Sequence, residues 1–129
     1  LASGGQEVRD PKKLKAFHMA DALVLKVYEA TQAFPPEERY GLAAQIRKSA
    51  VSVASNLVEG CARKSEADFL RFLDIAYGSA CELEYQLSLA HRPGWLSDTD
   101  SLSEPATQLS KVLHGLRRSL SPDTSLEKP

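Results

Sequence analysis

The three histidines are the side chains best suited to metal binding or acid–base chemistry at neutral pH. His18, His91 and His114 fall on three different predicted helices, without the HxxxH, HExxH or ExxH spacing that places two ligands on one helical face. The serines show no GxSxG elbow, and no glycine-rich loop follows a strand. We therefore expect no catalytic residue, no metal site and no cofactor, and we predict that the protein is not an enzyme.

A second group of residues with chemical potential is basic and lies around the second predicted helix. The chain carries 16 Lys+Arg against 17 Asp+Glu, a net charge of -1, so any binding of a nucleic acid must come from a local patch. Symmetry in an assembly would multiply a weak patch into a continuous basic collar. The candidate nucleic-acid-binding residues are Arg47, Lys48, Arg63, Lys64 and Arg71.

The second predicted helix also carries a compact polar face. Ser52, Asn56 and Glu59 cluster on it when the chain is turned through about 100° per residue. Glu59 and Arg63 have the i, i+4 spacing of a surface ion pair, which contributes about 0.3 to 0.5 kcal/mol. We interpret Ser52, Asn56 and Glu59 as a polar network between helices in preference to a ligand site.

The elements that position these residues are helical throughout. The first helix is predicted over about 12–33 and is ended by Pro35-Pro36, since proline lacks an N–H and disfavours a helical residue before it. The second helix is predicted to begin at Glu37-Glu38, where acidic side chains suit a positive helix N-terminus. Ser65 with Asp68 indicates the cap of the third helix.

Two heptad repeats give the strongest structural signal. A 4, 3 alternation predicts a third helix over about 65–91, with a core stripe at Phe69, Leu73, Ala76, Ala80, Leu83, Leu87 and Ala90. The same alternation predicts a fourth helix, with a stripe at Leu102, Ala106, Leu109, Leu113, Leu116 and Leu120. Short connections favour antiparallel neighbours, so we predict an all-α, up-and-down four-helix bundle.

The bundle domain is predicted to span residues 12–120. We interpret 1–11 as a disordered or cloning-derived tail and 121–129 as a flexible C-terminal tail. The apolar runs are short and no charged-then-hydrophobic leader is present, so we expect a cytoplasmic protein without a membrane segment.

The third predicted helix carries a second apolar stripe beside its heptad stripe. It consists of Leu70, Tyr77, Cys81 and Tyr85. One interpretation is a wide core within the chain, and the other is an oligomer interface, because a helix with two apolar fronts can bury one of them against a neighbouring subunit. The periodicity leaves both interpretations open.

Ordered motifs along the middle of the chain carry a family resemblance. They are FP at 34–35 with Glu38, YGL at 40–42, QIRKSAVSV at 45–53, NLVEG at 56–60, Arg63, FLRFL at 69–73, IAYGS at 75–79 and ELE at 82–84. This set resembles the four-helix bundle family of proteins encoded within intervening sequences of 23S ribosomal RNA genes. The accessory proteins of diversity-generating retroelements are in the same family.

The resemblance implies a homopentamer around a central channel that binds nucleic acid and protein partners, a reverse transcriptase in the retroelement members. We therefore expect a non-enzymatic, ring-like oligomeric adaptor that binds structured RNA or an RNA-processing partner. The alternative is a structural scaffold or protein-interaction module that binds no nucleic acid. The retroelement members look strongly basic, whereas this chain is nearly neutral.

Overall fold

The computed structural model describes residues 8–97 and 102–120. Within these residues the chain forms four α-helices and two short 3-10 turns, with no strand, so the predicted all-α, four-helix fold is confirmed. The helices are α1 (Lys15–Thr31), α2 (Leu42–Cys61), α3 (Glu66–His91) and α4 (Ser103–Leu120), and the turns are Pro11–Lys13 and Pro36–Glu38. The tail predicted at 121–129 lies outside the described residues, as do residues 1–7 of the predicted N-terminal tail.

Helix α3 contributes a long buried stripe to the core, as its heptad repeat predicts. All seven residues of its stripe are buried, from Phe69 at the start to Ala90 at the end. The Ser65 hydroxyl accepts the Asp68 backbone N–H at 3.1 Å and begins the helix, which confirms the predicted cap. The core stripe of α3 is therefore continuous over almost the whole helix.

Helix α4 follows its predicted stripe only in its first two thirds. Leu102, Ala106, Leu109 and Leu113 are buried, whereas Leu116 and Leu120 are half-buried and lie against the edge of the core. A carboxylate joins α4 to α3, since Glu84 accepts hydrogen bonds from Thr107 and Ser110 at 2.9 and 2.8 Å. Polar contacts thus supplement apolar packing between these two helices.

Helix α2 begins five residues later than the sequence pattern predicts. Glu37 and Glu38 lie in the preceding 3-10 turn, and the Glu38 side chain accepts the Leu42 backbone N–H at 2.9 Å. An acidic side chain satisfies a free N–H of the first helical turn equally well from outside the helix. The acidic pair therefore indicates the position of the N-terminus but not the first helical residue.

The residues before α1 contact the bundle, which differs from the tail predicted over 1–11. The Arg9 backbone N–H donates to the Cys61 carbonyl at 2.9 Å, and its guanidinium lies 3.8 Å from the centroid of the Phe69 ring. Arg9 also pairs with Glu66 at 2.7 Å. A cation over an aromatic face and a carboxylate partner explain why this segment is held at the junction of α2 and α3.

Contacts between successive helices pair early residues of one helix with late residues of the next. Ser52 contacts Ser79 across α2 and α3, whereas Gly60, further along α2, lies against Phe72, earlier on α3. Across α3 and α4, Glu84 contacts Thr107, while Asp74 binds Arg117 at 2.7 Å.

None of the helices in the described ranges combines the length and the apolar character needed to cross a membrane.

Candidate interaction surfaces

The junction of α2 and α3 holds three of the five basic candidates, and two of these have acidic partners. Arg63 forms an ion pair with Glu59, and Arg71 lies 3.9 Å from Asp68. Their guanidinium carbons lie 5.0 and 4.6 Å from the centroid of the Phe72 ring. Glu59 and Phe72 hold the Arg63 side chain, whereas Arg71 is 60% exposed and its distance from Asp68 exceeds that of a hydrogen bond.

The other two basic candidates lie roughly 20 Å away along α2, given a rise of 1.5 Å per residue. Arg47 is held by neutral oxygens, because its Nε donates to the Thr31 hydroxyl at 2.7 Å and its Nη2 to the Tyr28 carbonyl at 3.3 Å. Lys48 is exposed beside it, and Lys64 is exposed at the opposite end. Within one chain the five residues therefore form two separate basic groups.

The predicted polar network links α2 to α3 through a residue that the sequence pattern does not identify. The Ser52 and Ser79 hydroxyls lie 2.8 Å apart, and the Asn56 amide donates to the Ser52 carbonyl and hydroxyl at 2.8 and 3.1 Å. Glu59 binds Arg63 instead. Ser79 lies directly before Ala80 of the core stripe, and a helical projection of α3 would have placed it on the side facing α2.

The second apolar stripe of α3 is divided between the core and the surface. Leu70 and Tyr77 pack against the core, and the Tyr77 ring lies 5.6 Å from the His114 ring of α4. Cys81 is half-buried, and interaction with its side chain is the main reason why the pKa of Tyr77 is raised above its ordinary value. Tyr85 is 58% exposed. In the single chain Tyr77 thus contacts α4, and Leu70 is partly buried against the core.

A second group of exposed apolar side chains lies on α1 and α2. It consists of Leu25, Tyr28, Val51 and Val58, which we call the α1–α2 apolar face. Leu25 is 69% exposed and Val58 is 46% exposed, while Tyr28 and Val51 line the same shallow groove. Exposed apolar side chains that are grouped on neighbouring helices are typical of interaction surfaces.

The sequence also contains a signal for this face. A 4, 3, 4, 3 repeat lies on the side of α2 away from the buried Ile46, Ala50, Val53 and Leu57, and it consists of Ala44, Lys48, Val51, Ser55 and Val58. Small, polar and apolar residues alternate in this repeat, so it does not look like a core stripe. A heptad spacing on an exposed helix nevertheless favours contact with another helix.

The titratable and metal-binding residues lie apart from one another. In the described ranges, no group of three or more His, Cys, Asp or Glu side chains is arranged to hold a metal ion. His18 lies 2.6 Å from the Lys12 carbonyl, and His114 lies against Tyr77. Burial raises the pKa of the Cys61 thiol, which keeps it protonated and unreactive at neutral pH.

These features define an all-α, four-helix protein that exposes two basic groups and an apolar face, which are surfaces of the kind that contact other molecules. The family model for the 23S rRNA-intervening sequence protein matches residues 12–115, and the chain belongs to this family. The match covers all four helices except the last turn of α4.

A solved structure has a similar fold. It is a protein of unknown function from the S23 ribosomal protein family of Bacteroides thetaiotaomicron VPI-5482, with a TM-score of 0.72 and 24% sequence identity. The similarity covers 80% of this chain and 95% of that chain. None of the curated proteins matches the chain.

Proposed function

We propose that this protein is a non-enzymatic adaptor that acts as an oligomer of four-helix bundles and binds RNA. The observation that carries the proposal is the α1–α2 apolar face, because a monomer gains nothing from leaving Leu25, Tyr28, Val51 and Val58 exposed on two packed helices. A second copy of the chain is the occupant that we propose for this face. Adaptor activity then belongs to the assembly and not to the single bundle.

We further propose that the four helices run antiparallel in an up-and-down order and that the copies close into a ring. The opposed order of contacts along α2, α3 and α4 supports the antiparallel arrangement. A face on α1 and α2 that meets a different surface of the next copy generates a ring when the rotation closes. The family resemblance makes five the expected number of subunits.

The RNA part of the proposal rests on cations whose charges are not compensated by carboxylates. Within the described ranges, Arg47 donates hydrogen bonds to neutral oxygens, and Lys48 and Lys64 are exposed without an ion pair. Repeating these charges around a ring raises the local potential although the net charge of each chain is -1. Cytoplasmic location is part of the same proposal, and the free thiols of Cys61 and Cys81 support it.

A salt titration of RNA binding tests the proposed function. We expect a labelled RNA hairpin to bind the wild-type protein at 50 mM salt, with log affinity falling linearly against log salt concentration, because binding to phosphates releases counterions. The variant Lys48→Gln is expected to reduce the slope by about one, because one fewer cation per chain then neutralises a phosphate. Fluorescence anisotropy measures both quantities.

A substitution of an arginine that is paired with a carboxylate serves as the control. Arg117→Gln is expected to change the slope less than Lys48→Gln, because the Asp74 carboxylate already accepts a hydrogen bond from the Arg117 guanidinium at 2.7 Å. Binding that is undetectable even at 20 mM salt would remove RNA from the proposed function.

A second candidate function is a scaffold that binds proteins and no nucleic acid. The pairing of Arg9, Arg63, Arg71 and Arg117 with carboxylates favours it, since these four cations offer little net charge to a phosphate backbone. Its signature is a stable oligomer with a specific protein partner and no affinity for RNA at low salt.

A further inference from the structure

A cavity of about 550 Å³ opens where the chain passes from α1 into α2. We call it the α1–α2 end cavity. Thr31 and Gln32 line it from the end of α1, Arg39 and Tyr40 from the connecting segment, and Arg47 from α2. Phe34 supplies a buried apolar wall.

The α1–α2 end cavity is positively charged. Arg39 and Arg47 both line it, and no carboxylate of the described chain does. In the described residues neither arginine has a carboxylate within 4.0 Å, in contrast to Arg9, Arg63 and Arg71. The nearby Glu38 carboxylate is engaged at the N-terminus of α2, where it accepts the Leu42 N–H. An anion entering this cavity therefore meets two uncompensated guanidinium groups.

Arg47 is held in place before any ligand binds. Its Nε donates to the buried Thr31 hydroxyl, its Nη2 donates to the Tyr28 carbonyl, and its guanidinium carbon lies 4.6 Å from the centroid of the Tyr28 ring. A guanidinium carries five N–H donors, so these two hydrogen bonds leave three donors free. A planar, fixed donor set of this kind suits bidentate binding to a phosphate.

Tyr40 is the most exposed large apolar side chain in the described chain, at 87%. It is adjacent to Arg39, and both side chains line the α1–α2 end cavity. Burial in the core does not explain a large aromatic ring at this place. A free ring beside uncompensated arginines is the combination that binds nucleotides, since bases stack on aromatic faces while cations contact the phosphates.

We propose that the α1–α2 end cavity binds a nucleotide, with its phosphate on Arg39 and Arg47 and its base stacked on Tyr40. The nucleotide can be free or one unit of a single-stranded RNA. For the RNA source the inference deepens the proposed function and rests on it, whereas the free nucleotide requires no RNA binding. The site differs from the basic candidates of the α2–α3 junction, which lie at the opposite end of α2.

Two probes distinguish the sources of the nucleotide. The first is a fluorescein-labelled, single-stranded eight-nucleotide oligouridylate, titrated with the 129-residue chain in 50 mM salt by fluorescence anisotropy. The second is uridine or adenosine 5′-monophosphate, titrated by NMR while the backbone resonances of residues 31–47 are followed. Inorganic phosphate is the comparison ligand, because it reports on the arginines alone.

We expect Tyr40→Ala to weaken binding of at least one nucleotide probe by about tenfold, because stacking on an aromatic ring is removed. Arg39→Gln is expected to weaken it and to reduce the salt slope by about one. Tyr85→Ala and Arg117→Gln are the controls, since they replace another exposed tyrosine on α3 and an arginine on α4 that is paired with Asp74 at 2.7 Å. Both controls are expected to bind like the wild-type protein.

Weaker binding confined to the two cavity variants supports the proposal. If the cavity variants weaken binding of the oligouridylate alone, the site binds RNA. If they weaken binding of the monophosphates alone, the site binds free nucleotides, and a failure of RNA binding then counts against the proposed function only. RNA binding that neither variant changes, or that both controls weaken equally, overturns the nucleotide site but not the proposed function. Absence of binding by both nucleotide probes, or binding of phosphate as tight as that of the monophosphates, also overturns the site.

Discussion

Leu25→Asp is expected to convert the assembly into monomers that retain their helix content. Leu25 is 69% exposed in the single chain, so an aspartate at this position remains solvated in the monomer. In the assembly the same carboxylate would be buried against a second copy without a partner, which we expect to weaken self-association about 100-fold, on the order of 3 kcal/mol. Sedimentation velocity measures the decrease in association, and far-UV circular dichroism measures the helix content.

Tyr85→Asp is the matched control for this interface. Tyr85 is also more than half exposed, but it lies on the second apolar stripe of α3 and outside the α1–α2 apolar face. We expect this variant to keep the wild-type mass. Dissociation by Tyr85→Asp together with an intact Leu25→Asp assembly would place the interface on α3 and contradict the α1–α2 assignment.

Gly60→Val is expected to lower the free energy of unfolding by about 3 kcal/mol, the upper end of the usual cost of overpacking. A Cβ atom at Gly60 would lie 2.9 Å from the Cβ of Phe72 and 3.5 Å from Cδ1 of the Phe69 ring. These atoms belong to α3, so the two helices must separate to admit a side chain. Urea unfolding followed by circular dichroism at a fixed protein concentration measures the change.

Gly78→Val is the control because Gly78 also lies within a helix but has open space around it. A Cβ atom there meets nothing within 4 Å. We expect the free energy of unfolding to stay within about 0.5 kcal/mol of wild type, since valine and glycine differ little in helix propensity compared with the cost of a clash. Equal effects of the two substitutions would show that close approach of α2 and α3 is not what requires Gly60.

The sequence predicts the fold well where its periodicity is strict. The seven-residue stripe of α3 is fully buried because a heptad spacing keeps one side of a helix turned to its neighbours over many turns. The N-terminus of α2 is misplaced because Glu38 caps the helix from the preceding turn. Residue type alone does not distinguish a cap from the first turn of a helix.

The sequence predicts the interaction surfaces less well than it predicts the helices. The spacing of Leu70 and Tyr77 defines a stripe but does not reveal that the Tyr77 ring contacts His114 of α4. The contact of Arg47 with Thr31 joins two helices, so no local spacing predicts that this guanidinium is fixed by neutral oxygens. The i, i+4 pair of Glu59 and Arg63, in contrast, is visible from spacing, because both residues lie on one helical face.

The mass of the wild-type protein in solution tests the central claim most directly, because the proposed adaptor acts through its assembly. Light scattering coupled to size exclusion, at micromolar concentration and moderate salt, gives this mass without reference to shape. We predict a single species of close to five times the chain mass of 14.1 kDa. A species of 14.1 kDa that persists at tens of micromolar would contradict the account, because the α1–α2 apolar face would then have no second copy against it.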